Sequence, residues 1–287
     1  MKEKRLIQYI SILINISLDK LQLKKFLPNR LLMNIENIIC FIRRKKVRFK
    51  FLPEESLFFA KEGNEEKYFI NLARGCWLYR DGIETRGEFI FNSYCLHHIN
   101  FAESDIVIDC GANAGDLSIT LNKIISKNNY FAVEPNPEDF KILKLNVKSE
   151  NIFNFAFGEN NETKEFWIST KDADSSLMKP EKYEGSIDVV VKRLDSFIRE
   201  QKIQKIKLLK LEAEGYEPEV LSGLVDELHR FEYIAIDGGY ERNKEQTFSD
   251  ISNFLISRNF EMVDIFQPWL RCLFKNTKIN SCGKNKQ

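Results

Sequence analysis

Short apolar runs alternate along this chain with stretches in which apolar residues recur every three or four positions. The first pattern marks buried strands and the second amphipathic helices. The clearest instance lies at residues 105–140. Ile106, Val107 and Ile108 read as a strand that ends at Asp109, and a turn carrying Gly111, Asn113 and Gly115 follows. Leu117, Ile119, Leu121, Ile124 and Ile125 then take helical spacing, and residues 130–134 (YFAVE) form a second strand closed by Glu134.

Residues 1–46 read as helical, in two segments broken near Pro28. Residues 47–86 change to short alternating runs, VRFKFL, SLFFA, KYFINL and CWLYR, with turn signals at Gly63 and Gly82, which is β-hairpin composition. A helical spacing (Phe89, Ile90, Tyr94, Leu96) leads into the first core strand. After Glu134, Pro135-Asn136-Pro137 makes a rigid turn into a helix with Phe140, Leu143, Leu145 and Val147 inward. NFAFGE, FWIST and DVVVKRL read as strands, and the polar loop 171–176 between the last two is a candidate cover for a ligand. LDSFIREQ is a helix, KIKLLKLEAEG a strand running into acids, EPEVLSGLVDEL a helix, and YIAIDGG a strand ending in an acid and two glycines. A helix near 246–257, the strands EMVDIF and WLRCLFK, and a polar tail complete the chain. Strands alternating with helices imply a mostly parallel α/β sheet covered on both faces. Asp109, Glu134, Glu212 and Asp237 all close predicted strands, at the edge where such sheets bind ligands.

The turn after the first strand has its own chemistry. Glycines permit a sharp turn and close approach of a ligand. An acid 19 residues beyond Gly115 is placed to accept hydrogen bonds from a ribose diol. The full G-x-G-x-x-G is absent, and Asp116 at the helix start disfavours an anionic pyrophosphate there. A ligand with adenosine and ribose but no phosphate, such as S-adenosylmethionine, fits better. A turn of this shape with no ligand is the plain structural alternative.

Charge adds one regional contrast. Residues 1–50 hold thirteen Lys and Arg against three acids, while the remainder holds 30 against 39. A basic extension on an acidic body fits a membrane-surface contact, or simply a solvated basic helix. No nucleic-acid partner is expected. The apolar stretch 6–18 is shorter than the roughly 20 residues a bilayer span needs, and no cleavage site follows it, so the expectation is a cytoplasmic protein, peripheral at most to the inner membrane face. Six scattered cysteines without a C-x-x-C pair read as buried hydrophobes, not a disulfide framework. No metal site is expected: His97 and His98, next to Cys95, diverge on a helix, and no acid stands at a supporting spacing.

The pieces VIDCGANAGDLS, FAVEPNPEDF, NFAFGE, DSSL, VVKRLDSFI, KLLKLEAEGYEPEVLSGL and YIAIDGG, in this order over residues 105–240, resemble the FkbM family of class I S-adenosylmethionine-dependent methyltransferases. The resemblance implies a Rossmann-like, mostly parallel seven-stranded sheet with a final antiparallel strand, and O-methylation of a hydroxyl, often of a sugar in a glycan or related metabolite, as in polysaccharide biosynthesis. It implies that Asp109, Gly111, Asn113 and Gly115 line the methionine end of the cofactor. Glu134 would bind the ribose with Asn136 close by, Asn154 and Ala156 would flank the adenine, and Glu212 would face the methyl-transfer site. The family usually has Asp-Val-Glu-Gly where this chain has Glu212-Ala213-Glu214-Gly215, which keeps the first charge but moves it by one methylene.

The expected organisation is a basic helical extension (1–46), a β-hairpin and helix flank (47–100), the methyltransferase domain (101–276) and a polar tail (277–287). Transfer to a hydroxyl needs alignment and often a base. Glu212 and Asp237 are the catalytic candidates, while Glu214 reads first as a helix cap or lysine partner. Two other classes stay open. A dinucleotide-dependent oxidoreductase of the NAD type would share the turn and Glu134, though not the missing third glycine. A non-catalytic binding protein would keep the scaffold without turnover.

Overall fold

The computed structural model describes residues 28–169, 175–242 and 244–279. The apolar stretch 6–18, the first part of the basic extension, most of the polar loop 171–176 and the end of the tail lie outside them. The chain forms two compact units, residues 1–88 and 89–287.

In the first unit α1 (Asn29–Ile42) precedes the strands β1 (Arg48–Leu52), β2 (Leu57–Glu62) and β3 (Glu65–Phe69), which pair antiparallel in that order. Gly63, at φ +61°, supplies the left-handed residue of the β2–β3 turn. An aromatic cluster fills the unit, with Phe69 6.3 Å from Phe49 and 5.8 Å from Tyr79 between ring centres. The run CWLYR, expected as a strand, instead lies in and just after α2 (Leu72–Tyr79). Asn71 caps that helix by accepting the Arg74 N–H, so a local cap overrides the β propensity of Trp and Tyr. The turn at Gly82 accordingly joins two helices. α3 (Ile83–Ser93) begins earlier than the sequence pattern suggests and ends at Ser93.

The second unit is built on a seven-stranded sheet. Its elements are β4 (Val107–Cys110), α4 (Ser118–Leu121), β5 (Tyr130–Val133), α5 (Pro137–Asn146), β6 (Ile152–Phe153), β7 (Ala156–Gly158), β8 (Glu162–Ser169), β9 (Tyr183–Arg193), α6 (Leu194–Glu200), β10 (Ile206–Leu211), α7 (Glu217–Ser222), β11 (Phe231–Asp237), α8 (Phe248–Ile256), β12 (Phe260–Phe266) and β13 (Arg271–Asn276). The sheet order is β12-β13-β11-β10-β4-β5-β6, with β13 antiparallel to both neighbours and the other described pairings parallel. This is the class I methyltransferase topology expected above. β7, β8 and β9 form a separate three-stranded sheet, so NFAFGE is divided: it follows the main-sheet edge strand β6 and enters the small sheet.

The core strands are buried on both faces, which explains their continuous apolar runs. Ile108, Phe131, Leu209, Leu211, Ile234 and Ile236 pack on one side with Phe197 of α6, Leu221 of α7 and Leu255 of α8. Val107, Ala132, Leu208, Tyr233 and Ala235 pack on the other with Leu121 and Leu143. Helix α4 is one turn long, where the spacing predicted a helix to Ile125. Ile119, Thr120, Asn122, Ile124 and Ile125 are weak helix formers, and the chain tightens through i→i−3 bonds such as Ile124 N–H to Leu121 O at 2.8 Å. In α5 the buried residues are Ile142, Leu143 and Asn146, and Leu145, expected inward, is exposed. The five described cysteines are buried, and none of them is in a disulfide.

Phe197 is 1% exposed and meets Phe153, Phe155, Phe157 and Phe131 edge-on or tilted. Phe197→Ala should therefore cost about 3–5 kcal/mol by leaving a cavity among rigid rings. Denaturant unfolding of the variant reads this directly, and a loss below about 1 kcal/mol would show the cluster to be loosely packed.

Candidate active site

Strand parity decides which side chains meet at the carboxyl edge. Side chains alternate between faces, and the register aligns Lys210 with Asp109 and with Ala235, and Asp237 with Arg271. Asp109, Lys210, Glu212 and Asp237 are thus on the face that carries Val107, Leu208 and Ala235. The alternation that builds the core below delivers ionisable groups at the strand ends.

They form a buried ion chain. The Tyr130 hydroxyl donates to Asp109 Oδ2, and the Lys210 ammonium stands 3.1 Å from Asp109 Oδ1 and 3.0 Å from Glu212 Oε2. Lys210 also donates to the Gly111 carbonyl at 2.7 Å. The Arg271 guanidinium reaches Glu212 Oε1 at 2.5 Å and Asp237 Oδ2 at 2.8 Å, and donates to Ser93 Oγ at 3.0 Å. Its charged end lies 4.5 Å from the centre of the buried Tyr94 ring. Burial alone would raise the Glu212 carboxyl, but the Lys210 and Arg271 charges outweigh it and hold Glu212 well below the usual carboxylate range. Asp237 goes the other way: burial, then the neighbouring Glu212 charge, raise its carboxyl.

The glycine turn encloses Glu134. Gly111, Asn113 and Gly115 have φ of +70°, +45° and +79°, and the Gly111 and Ala112 N–H groups donate to the Val133 carbonyl at 3.0 Å. A Cβ at Gly111 would run into the Glu212 carbonyl oxygen, and one at Gly115 into the Val147 side chain. Both glycines are therefore required first by the protein's own packing. The Asn113 and Asn136 N–H groups each donate at 2.9 Å to one Glu134 carboxylate oxygen. Asn136 also caps α5, accepting the Glu138 N–H at 3.1 Å. Asn154 donates to the Glu134 and Pro135 carbonyls at 2.9 Å, whereas Ala156 is buried in the apolar cluster. Burial, reinforced by Asp139, pushes the Glu134 carboxyl up to about 8.

Sequence reasoning missed four participants. Lys210 and Arg271 were signalled only as cations inside apolar strands, LKL and LRC. Glu217 is fully buried, and its Oε1 accepts the Ala213 and Gly215 N–H groups at 2.7 and 3.3 Å, bracing the turn after Glu212. Burial pushes its carboxyl up to about 7. Glu241 lies on the rim beside Asp237, and desolvation together with the charges of Asp237, Glu217 and Glu212 raises its carboxyl. Glu214 takes a left-handed conformation, φ +50°, and its carbonyl accepts the Ser176 hydroxyl at 2.8 Å.

Residues 109–262, more than half of the chain, match the family model of the methyltransferase FkbM domain. The chain belongs to the FkbM methyltransferase family. It is a methyltransferase that uses S-adenosylmethionine, not a dinucleotide-dependent oxidoreductase. A hexuronic acid methyltransferase, AglP, of Haloferax volcanii is 23% identical over 61% of this chain and 71% of its own length. Methyltransferase 1 of Beauveria bassiana is 24% identical over 48% of this chain and 66% of its own length. Among solved structures, M. capricolum TrmK with S-adenosyl-homocysteine overlays with a TM-score of 0.38 at 13% identity, covering 66% of this chain and 68% of that one. An Aquifex aeolicus SAM-dependent methyltransferase gives 0.37 at 15%, covering 66% and 87%.

The site of this FkbM methyltransferase fits such a cofactor. Each Glu134 oxygen uses one lone pair on a backbone N–H, which leaves one on each oxygen for a ribose diol. The surplus of carboxylates over Lys210 and Arg271 favours a cationic sulfonium. A pH dependence of stability follows from Glu217. Burial lifts it from the ordinary value of about 4.5 to about 7, so its contribution is complete below about 4.5 and lost as pH rises through about 7. The ligand-free enzyme should melt at a lower temperature at pH 8 than at pH 6. Glu217→Gln should flatten that slope in thermal scans, and an unchanged slope would clear Glu217 of the effect.

Proposed function

We propose that this enzyme transfers the methyl group of S-adenosylmethionine to a hydroxyl of a sugar, in a glycan or a related small metabolite of polysaccharide biosynthesis. The observation that carries the reading is the contrast between two adjacent acids. Glu212 is held as an anion between Lys210 and Arg271, while Asp237, on the other arm of Arg271, has raised proton affinity. The likeness to a hexuronic acid methyltransferase supports a sugar acceptor.

When bound, S-adenosylmethionine supplies an electrophilic methyl on a sulfonium. Glu134 holds the ribose diol, with Asn113 and Asn136 fixing its carboxylate. Asp109, Gly111 and Gly115 shape the methionine end, and Asn154 and Ala156 flank the adenine side. Asp237 accepts the hydroxyl proton of the acceptor, and Glu212 fixes Arg271 so that Asp237 is aimed. We place the enzyme in the cytoplasm, with residues 1–50 resting on an anionic membrane surface. That placement is supported by α1, which exposes Leu31, Ile38 and Phe41 and leads into Arg43, Arg44, Lys45 and Lys46. Among the described residues no helix is long and apolar enough to cross a membrane.

Incubation with methyl-labelled cofactor and a panel of hexuronic acid and hexose glycans should place label on a sugar oxygen. Label found only on non-sugar hydroxyls would overturn the acceptor class. Asp237→Asn should lower kcat by about 10²–10⁴ and leave S-adenosylhomocysteine affinity unchanged, and an unaltered kcat would remove Asp237 as the base. Glu134→Ala should weaken S-adenosylhomocysteine at least about tenfold, since it removes two ribose hydrogen bonds worth about 0.5–1.5 kcal/mol each. Calorimetric titration measures this, and equal affinity would relocate the ribose.

A further inference from the structure

Away from the ion chain, His97, His98 and Asp264 gather side chains of metal-ligating chemistry, their nearest ligand atoms all within 4.8 Å of one another. We propose that they bind a divalent transition-metal ion of the zinc class, with water completing the coordination. Two features of the sequence argue against a metal here, divergent histidines and no acid at a supporting spacing, and the geometry removes both. Cys95 enters a left-handed conformation, φ +57°, and the 3₁₀ turn Leu96–His98 ends where Ile99 becomes extended. The two imidazoles straddle the end of this turn, with ring centres 4.2 Å apart.

The acid arrives from far along the chain. Register slips in β12 between Met262 and Asp264, and a bulge of this kind re-aims the side chain that follows it. Asp264 Oδ1 accepts the Ile265 N–H at 2.8 Å, which fixes the carboxylate and turns Oδ2 to His98 Nε2, also at 2.8 Å. Zinc bonds nitrogen and carboxylate oxygen at about 2.0–2.2 Å, which puts tetrahedral ligand atoms roughly 3.3 Å apart. Both histidines are exposed, so small rotations of their rings close the site, and the ion replaces the proton shared by His98 and Asp264. Two imidazoles and one carboxylate suit zinc, cobalt or nickel, whereas magnesium and calcium take oxygen ligands.

The position gives the ion a task. His97 and His98 follow Ser93 and Tyr94, both of which hold Arg271. Asp264 precedes Phe266, whose ring meets Trp269 at 5.4 Å, and Trp269 lies 5.0 Å from the Arg271 guanidinium. An ion bridging the turn and β12 ties together the two segments that flank this guanidinium.

The untagged full chain, stripped with chelator, is titrated calorimetrically with Zn²⁺, with Co²⁺ absorption as a second probe. One ion per chain with micromolar affinity is expected, together with a rise in melting temperature. His98→Ala and Asp264→Asn should each weaken Zn²⁺ at least about tenfold and abolish the thermal shift, while His229→Ala should change neither. Far-UV circular dichroism confirms that the variants fold. Absence of Zn²⁺ and Co²⁺ binding, or equal affinity in the His98 and Asp264 variants, would overturn the site and leave a surface ion pair.

Discussion

Three carboxylates, Asp109, Glu212 and Asp237, converge at one edge of a buried sheet, and two cations make that arrangement tolerable. In partly buried surroundings, like charges about 4 Å apart repel by about 4 kcal/mol, and burial adds a desolvation cost for each ion. Lys210 stands between Asp109 and Glu212, and Arg271 between Glu212 and Asp237, so along this chain each acid faces a cation before it faces another acid. Tyr94 and Ser93 hold the guanidinium from behind. The glycine turn depends on the same network, because Lys210 also binds the Gly111 carbonyl.

This wiring separates the acids by chemistry although they share a residue class. Glu212 lies between both cations and stays ionised. Asp237 shares one cation and feels Glu212, so its proton affinity rises. Glu134, braced by backbone N–H groups and only slightly offset by Lys210, is raised by burial. A single edge therefore offers a fixed anion, a proton acceptor and a hydrogen-bond acceptor for a diol, three tasks that one methyl transfer needs.

The sequence made legible whatever depended on neighbours along the chain. The β4–turn–β5 segment, the acids at strand ends and the alternation of strand and helix were readable because periodicity and glycine placement are local. Lys210 and Arg271 were not, because their reason lies far away: Lys210 meets a carbonyl 99 positions distant and Arg271 a carboxylate 59 positions distant. The same distance hid Asp264 from His98, which are separated by 166 positions. The errors in secondary structure were of a different kind. Residues 117–125 carried helical spacing but β-branched side chains, and CWLYR carried strand composition but followed a capping asparagine.

Strand β13 runs against its neighbours, so it presents its first residue, Arg271, to an edge where the other strands present their last. Synthesis proceeds from the N-terminus, and domains generally fold as units. A nascent chain that has grown through Asp237 already holds every acid of the edge, with Lys210 as the single strand-borne cation among them. The guanidinium that neutralises Glu212 and Asp237 arrives 34 residues later. Without β13 the edge would carry an excess of negative charge, so this strand, seated between β11 and β12, brings charge compensation as well as apolar side chains. Among the described strands it is thus the antiparallel one that turns the edge from repulsive to cohesive.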